Sequence, residues 1–288
     1  MVPIVCITGC SSGFGQLIAL QCAKTCNVIA TVRTAKAKAE LLDTALKQDL
    51  TLDVQLCDVT DVKAIQTLTT LISRTYGHCD VLINNAGVVL GGFFEDYSDQ
   101  QIKHVLDTNV QGVIAMTKAL LPLLRQSKQA KIINLSSIAG LAGIPSLSIY
   151  NASKWAIEGF SEALLFELKP FNIDVVLIEP GQYKTALFSK NLHIAKQANS
   201  PTSPYYEFSQ IAFNKVQKKV QQYLKDPQAI ALLCASIIHK KNPRFRYLIG
   251  HDARLRSYLK KCLPFELYKH LVQFIYNKTM QKAIKKIV

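Results

Sequence analysis

Short apolar runs rich in β-branched residues recur along the chain at positions 4–8, 28–32, 52–56, 81–84, 131–135, 174–178 and 246–249. Each has the length of a strand, and their continuous apolar character fits strands buried on both faces. Segments of helical length lie between most of them, among them 16–24, 64–76, 101–124 and 150–168. Strands and helices in alternation predict a single Rossmann-like, doubly wound α/β domain with a seven-stranded parallel sheet. Two regions depart from the alternation. The stretch 186–225, with Pro201, Pro204 and a partial helical pattern, is expected to be a substrate lid, because loops of that length are seldom mere connections. The tail beyond Gly250 is the other. The expected division is one main α/β domain over 1–251, with its lid at about 186–225, and a basic helical C-terminal extension over 252–288.

A chain of 288 residues, 49% hydrophobic and 19% charged, has the make-up of a globular protein and the length for one large α/β domain. Crossing a bilayer takes about 20 consecutive apolar residues. The longest run here, 229–238, is ten residues and contains Ser236, so no membrane span is expected. The apolar stretch 2–8 has no basic segment before it and leads directly into a glycine-rich loop. No signal peptide is expected, and the anticipated location is the cytoplasm. The eight cysteines form no CxxC pair and read as reduced, buried small hydrophobes. Cys22 and Cys26 lie one helical turn apart without a nearby histidine, so no metal site is expected.

The net charge of +14 takes on a different meaning once it is located. From Lys240 to Val288 there are 13 Lys and Arg against Asp252 and Glu266, whereas the preceding 239 residues carry 21 basic and 18 acidic side chains. The basicity belongs to the tail. No base-reading module accompanies it, and nucleic acid is not an expected partner.

The first apolar run ends in Thr8-Gly9-Cys10-Ser11-Ser12-Gly13-Phe14-Gly15. Glycines at a strand-to-helix turn let the backbone approach a pyrophosphate, and the helix start offers free N–H groups and a positive dipole end. Gly9, Ser11, Ser12, Gly13, Phe14 and Gly15 are therefore candidate cofactor contacts. The loop lacks the Lys-Ser/Thr of a nucleoside-triphosphatase, and its place after the first strand points to a dinucleotide. The end of the second strand indicates which one. Ala30-Thr31-Val32-Arg33-Thr34 has no acid to hold a ribose hydroxyl pair, and Arg33 suits a 2′-phosphate, although a solvated strand end is its simpler reading. NADP(H) is the expected cofactor. Asp58-Val59 and Asn85-Ala86-Gly87 end the third and fourth strands, where the ligand crevice opens, and both also suit plain turns.

Tyr150 and Lys154 stand four residues apart on one face of a predicted helix. A free phenol has a pKa of about 10. A neighbouring ammonium favours the phenolate and is expected to bring that value down, making the tyrosine an acid/base group. Ser137 follows a strand, thirteen residues before Tyr150, and is placed to donate to a substrate carbonyl. Ser136 competes for that role.

Together these motifs resemble the short-chain dehydrogenase/reductase family, in the branch carrying TGxxxGxG and YxxxK, over about residues 2–251. The likeness rests on residues 8–15, Asp58-Val59, Asn84-Asn85-Ala86-Gly87, Asn109 within Thr108-Asn109-Val110, Ser137, Tyr150 with Lys154, and Pro180-Gly181 followed by Thr185. It implies that Tyr150 is the acid/base, that Ser137 orients and polarises the carbonyl, and that Asn109 holds a proton-relay water. Lys154 is implied to lower the tyrosine pKa and to bind the nicotinamide ribose. The thirteen-residue spacing favours Ser137 over Ser136. Pro180, Gly181, Tyr183 and Thr185 are implied to cradle the nicotinamide, with Tyr183 standing where a small aliphatic residue is usual. Within the family, the glycine loop and the residues around Arg33 resemble NADP-using hydroxysteroid and retinol dehydrogenase-like members. Such proteins usually pair through the helices that correspond to 110–124 and 150–168, which implies a homodimer or homotetramer.

The expected activity is hydride transfer between NADP(H) and a secondary alcohol or ketone. The alternative is a non-catalytic NADP-binding regulatory or scaffold protein, against which the complete set of Ser137, Tyr150, Lys154 and Asn109 argues. Segment 138–145 and the lid residues Leu187, Phe188, Leu192, Ile194, Tyr205, Tyr206 and Phe208 are apolar or aromatic. They either wall a pocket for a sterol, retinoid or fatty chain or simply pack the lid down. In the tail, Leu255, Tyr258, Leu259, Cys262 and Leu263 form one helical stripe, and Tyr268, Leu271, Val272 and Ile275 form a second. Arg254, Arg256, Lys260, Lys261, Lys278, Lys282, Lys285 and Lys286 accompany them. Basic amphipathic helices of this kind suit peripheral contact with an anionic membrane, and equally pack on the enzyme or a sister subunit while their lysines are solvated.

Overall fold

The computed structural model describes residues 2–183, 192–222 and 226–287. In chain order the elements are β1 (Ile4–Ile7), α1 (Gly13–Cys22), β2 (Asn27–Val32), α2 (Ala35–Leu46), β3 (Asp53–Leu56), α3 (Val62–Tyr76), β4 (Val81–Asn84), β5 (Val89–Gly91), α4 (Asp99–Leu106), α5 (Gly112–Leu124), β6 (Ala130–Leu135), α6 (Ser148–Leu168) and β7 (Ile173–Pro180). They continue with β8 (Leu192–Ile194), α7 (Tyr206–Gln222), α8 (Gln228–Ile238), β9 (Arg246–Ile249), α9 (His251–Cys262) and α10 (Phe265–Ile287).

Seven of the strands form one parallel sheet in the order β3-β2-β1-β4-β6-β7-β9. Each corresponds to one of the seven apolar runs, because these strands feed two separate cores. Val5, Ile7, Ile83, Ile133 and Val176 enter the core beneath α1, α2 and α8. Cys6, Ile29, Leu82, Ile132 and Val175 enter the one beneath α3, α5 and α6. The strand order reverses between β1 and β4, and in such sheets the ligand crevice lies outside the carboxyl ends of the strands at the reversal. The glycine loop and the Asn85-Ala86-Gly87 turn leave the sheet at that point.

The predicted helix 101–124 is in fact α4 and α5 joined by a π-helical turn, Asp107–Gln111, which holds Asn109. One extra residue in a helix leaves the average apolar spacing almost unchanged, so periodicity does not reveal it. From the expected lid come β8, paired in parallel with β5, and α7. Tyr205 stacks on Phe93 at 4.7 Å between ring centroids, and Phe208 meets the same ring edge-on at 5.9 Å. These aromatics fasten the lid to the body. Leu187 and Phe188 lie outside the described residues. The tail is packed as well: Ala253, Tyr268 and Met280 are buried, and the division after residue 251 falls within the first turn of α9.

Charge is buried in the sheet's far edge. Arg246 of β9 reaches Glu179 of β7 at 2.7 Å and Glu162 of α6 at 3.0 Å, and it also pairs with Glu158 of α6. Glu158 and Glu179 are both buried. Burial and the neighbouring Glu158 push the Glu179 carboxyl up to about 7 even against the arginine. Removing the cation by Arg246→Met strands two buried carboxyl groups, and a loss of about 3–5 kcal/mol is expected. Urea unfolding of wild type and variant measures it. A loss under about 0.5 kcal/mol would show that the arginine offsets little.

Candidate active site

Thr8 follows β1 and joins the glycine loop to the turn after β4. Its Oγ1 accepts the N–H groups of Asn85 at 3.0 Å and Ala86 at 2.9 Å. In return, Asn85 Nδ2 donates to the carbonyls of Thr8 at 2.9 Å and Gly9 at 3.0 Å. Gly9 has a φ of +71°, and a Cβ there would stand 2.7 Å from the Ala86 Cα. Only glycine allows the two turns to touch. Ser12, at the start of α1, makes no side-chain cap, so the first-turn N–H groups are left for a ligand.

A cleft runs along the carboxyl ends of the strands. Gly9, Ser11, Ser12, Gly13, Phe14, Arg33, Asp58, Val59, Asn85, Ala86 and Gly87 all line it, together with Tyr150, Lys154 and Pro180. Gly15 is instead buried against the Gly9 carbonyl and the Asn85 side chain, where it permits close packing of α1. Asp58 is partly spent on its own turn, with Oδ1 accepting the Thr60 N–H at 2.9 Å and the Thr60 hydroxyl at 2.8 Å. Val32, Cys57, Val88 and Thr108 join the lining without having been singled out from the sequence as cofactor contacts. Burial pushes the Cys57 thiol up to about 11, which makes it a poor nucleophile.

A second pocket shares Phe14, Ser136, Tyr150 and Pro180 with the cleft. Ser137, Ile138, Ala139, Ile144 and Leu147 form its mostly apolar wall, and Gly181, Gln182 and Tyr183 continue it. Tyr183 lies edge-on to Phe14 at 5.9 Å. Thr185 is outside the described residues. The pocket also takes Asp252 and Arg256 from α9, two residues that no motif or periodicity singles out for it. Asp252 accepts the Gln182 N–H at 2.8 Å and lies against Gly181, so the tail helix braces the Pro180-Gly181 turn.

Of the paired serines, Ser136 spends its hydroxyl on Glu158, whereas Ser137, whose Oγ accepts the Ala139 N–H at 3.1 Å, acts on Tyr150 by drawing its phenol down. Lys154 Nζ donates to the Leu135 carbonyl at 2.7 Å and lies 5.8 Å from the centre of the Tyr150 ring. Burial lowers the lysine to about 8, opposed by the Glu158 carboxylate. The tyrosine moves in the direction opposite to the one its spacing suggests: burial pushes it up to about 12, with Ser137 pulling it part of the way back. Desolvating the phenolate outweighs the lysine's influence at this separation. Tyr150 is thus a protonated phenol at neutral pH. Asn109 is buried behind the cleft, with Nδ2 donating to the Val88 carbonyl at 2.9 Å and Ser153 Oγ at 3.1 Å. Its Oδ1 accepts the Val88 N–H at 2.8 Å, so the side chain clamps the residue leading into β5 to α6 and is absent from the cleft lining.

The family model for short chain dehydrogenases matches residues 3–194. The chain is 32% identical over 274 residues to a 3-ketodihydrosphingosine reductase of Bacteroides thetaiotaomicron, covering 95% of this chain and 97% of that protein. It is 34% identical over 249 residues to retinol dehydrogenase 8 of Homo sapiens, covering 84% of this chain and 79% of that one. Among solved structures, a short-chain dehydrogenase from Streptomyces avermitilis shares the fold with a TM-score of 0.77 and 27% identity over 98% of each chain.

Lys154 supplies a direct test of the site's electrostatics. Held at about 8 against an ordinary 10.5, it binds its proton less tightly when folded, so the folded state is penalised at neutral pH. That penalty is relieved as pH rises from 8 towards 10.5. Relative to Lys154→Met, the wild type is expected to gain about 2 kcal/mol of stability between about pH 7 and pH 10. Paired urea melts at the two pH values measure the gain, and a constant difference would mean that the lysine keeps its ordinary value.

Proposed function

The chain belongs to the short-chain dehydrogenase family, whose members are oxidoreductases using nicotinamide cofactors, and from that premise we propose that it passes hydride between NADP(H) and a secondary alcohol or ketone on an apolar substrate. The observation that carries this reading is the place of Tyr150, on the wall shared by the cleft and the apolar pocket. A proton donor there reaches both a cofactor and a substrate.

The cleft residues fit a phosphorylated dinucleotide. Gly9 lets the loop close against the Ala86 turn, the first turn of α1 leaves N–H groups for phosphate, and the end of β2 offers Arg33 without an acid. When bound, the nicotinamide supplies or accepts the hydride. The remaining work falls to the chain's own groups. Ser137 donates to the substrate oxygen and orients the carbonyl. Tyr150, protonated, gives its proton to that oxygen in the reductive direction. Lys154, anchored on the Leu135 carbonyl, would stabilise the phenolate left behind and would hold the cofactor ribose when it is bound. Ile138, Ala139, Ile144 and Leu147 suit a sterol, retinoid or fatty chain, as do relatives named for 3-ketodihydrosphingosine and retinol. Pairing of subunits through α5 and α6 belongs to the same reading, supported by the exposed Phe166 of α6.

Tyr150→Phe is expected to lower kcat by roughly a hundredfold or more, in line with loss of a general acid. NADPH affinity, followed by cofactor fluorescence, is expected to hold. Retained turnover would remove Tyr150 from its role, and absence of carbonyl-dependent NADPH oxidation by the wild type across sterol, retinoid and fatty ketones would favour a non-catalytic binder. For the cofactor, Val32→Asp with Arg33→Ala is expected to move the NADPH/NADH ratio of kcat/KM towards NADH by about tenfold or more, since charge-assisted phosphate contacts are lost. An unchanged ratio would mean that Arg33 does not read the 2′-phosphate.

A further inference from the structure

The tail helix α9 is attached to the body by its polar residues. Lys260 Nζ donates to the Leu141 carbonyl at 2.6 Å and lies 4.1 Å from the centre of the Trp155 ring. Arg254 Nε donates to the Leu248 carbonyl at 3.3 Å, and Asp252 holds the Gln182 N–H. With those contacts made, part of the apolar stripe of α9 faces outward: Leu255 is 60% exposed and Tyr258 66%, and Cys262 is exposed as well, while Leu259 and Leu263 are half-buried. This departs from the usual arrangement, in which the whole apolar stripe of a helix packs. In α10 the stripe through Tyr268 and Met280 is buried, yet Phe265 and Phe274 are 68% and 67% exposed, with Leu267 and Ile275 also outward.

The cations sit beside these residues. Arg254 and Lys261, both exposed, lie on a row adjacent to Leu255, Tyr258 and Cys262. Exposed Lys278 follows Phe274 at i+4, and exposed Lys285 lies two turns further on. The two acids are already engaged, Asp252 in the pocket and Glu266 in an ion pair with Lys269. A face that combines exposed aromatic and aliphatic side chains with a surplus of cations is complementary to an anionic lipid surface: apolar groups enter the acyl boundary and cations meet headgroups. Nucleic acid would use the cations but not the apolar groups. Among the described residues no helix is long and apolar enough to cross a membrane, so the contact is with the surface.

We propose that the outward faces of α9 and α10 dock this protein on an anionic lipid bilayer. The inference goes beyond the proposed reaction and does not depend on it. It does have a consequence for that reaction, because Arg256 of the docked helix lines the substrate pocket and the pocket is thereby held beside the lipid.

The test is sedimentation of the full chain with phosphatidylcholine vesicles, with and without phosphatidylglycerol, at low and high salt. Recovery with the phosphatidylglycerol vesicles at low salt and release at high salt are expected. Two variants, Leu255→Asp with Phe274→Asp and Lys261→Glu with Lys278→Glu, are each expected to weaken partitioning by about tenfold or more. Both alter exposed side chains, and unchanged thermal melting and NADPH fluorescence certify the fold. Should the apolar variant melt early, the lysine variant and the salt dependence carry the test. Wild type left in the supernatant with both vesicle types overturns the proposal. So does vesicle capture that survives in the apolar variant and is matched by double-stranded DNA, which marks a general polyanion patch. A third overturning result is loss of self-association by the apolar variant in light scattering, with no vesicle binding by the wild type, which assigns the face to a sister subunit.

Discussion

Keeping the Lys154 ammonium charged inside the protein is the constraint around which the site is arranged. Taking such an ion out of water costs several kcal/mol unless partners replace the lost hydration. The Leu135 carbonyl at the end of β6 accepts its hydrogen bond, and Glu158, one turn further along α6, supplies the opposing charge. Glu158 needs holding in turn, by the Ser136 hydroxyl and by Arg246. Arg246 comes from β9 and is shared with Glu179 on β7. One cation in the cleft thus ties β6, α6, β7 and β9 into a single electrostatic unit. It also accounts for the different fates of two adjacent serines: one is spent on supporting the lysine's counter-charge, which leaves the other for Tyr150.

A second polar chain crosses the sheet at the same level. Asn84 Nδ2 donates to Asn134 Oδ1 at 2.8 Å and to the Thr117 hydroxyl at 3.1 Å, and Asn134 Nδ2 donates to Ser161 Oγ at 2.8 Å. Buried amides of this kind are costly when unpaired and specific when paired. They fix β4 and β6 against α5 and α6, so that the Asn85 turn and the two serines leave the sheet in register. The glycine loop, tied to the same turn through Thr8, is positioned by that register as well.

The frame of the molecule was legible in the sequence because strands covered on both faces are apolar over most of their length, and the longer apolar run at 229–238 has the length of a helix. The cleft was legible because a turn that must admit phosphate can use little besides glycine. Direction of charge was not. Spacing brings Lys154 near Tyr150, but whether an ammonium or the loss of water dominates depends on burial, which a linear pattern does not contain. The clamp made by Asn109 was hidden for a related reason, since its partners Val88 and Ser153 are set by a π-helical turn with no periodic signature. α9 was read as an appendage because its apolar stripe suggested which side would pack, whereas its arginine, lysine and aspartate make the attachment.

The position of β9 in the sheet has a consequence for how the protein is made. β7 is buried along nearly its whole length, yet one of its two hydrogen-bonding edges is covered only by β9. The chain from Gly181 to Pro243 must be synthesised before that cover exists, which at about 5–20 residues per second takes several seconds. Throughout that interval an apolar edge, otherwise ready to pair, is presented to any strand that passes. The last strand to emerge is therefore the one that makes the nascent sheet safe from its neighbours on a crowded ribosome, and folding of this enzyme is completed from its C-terminal end.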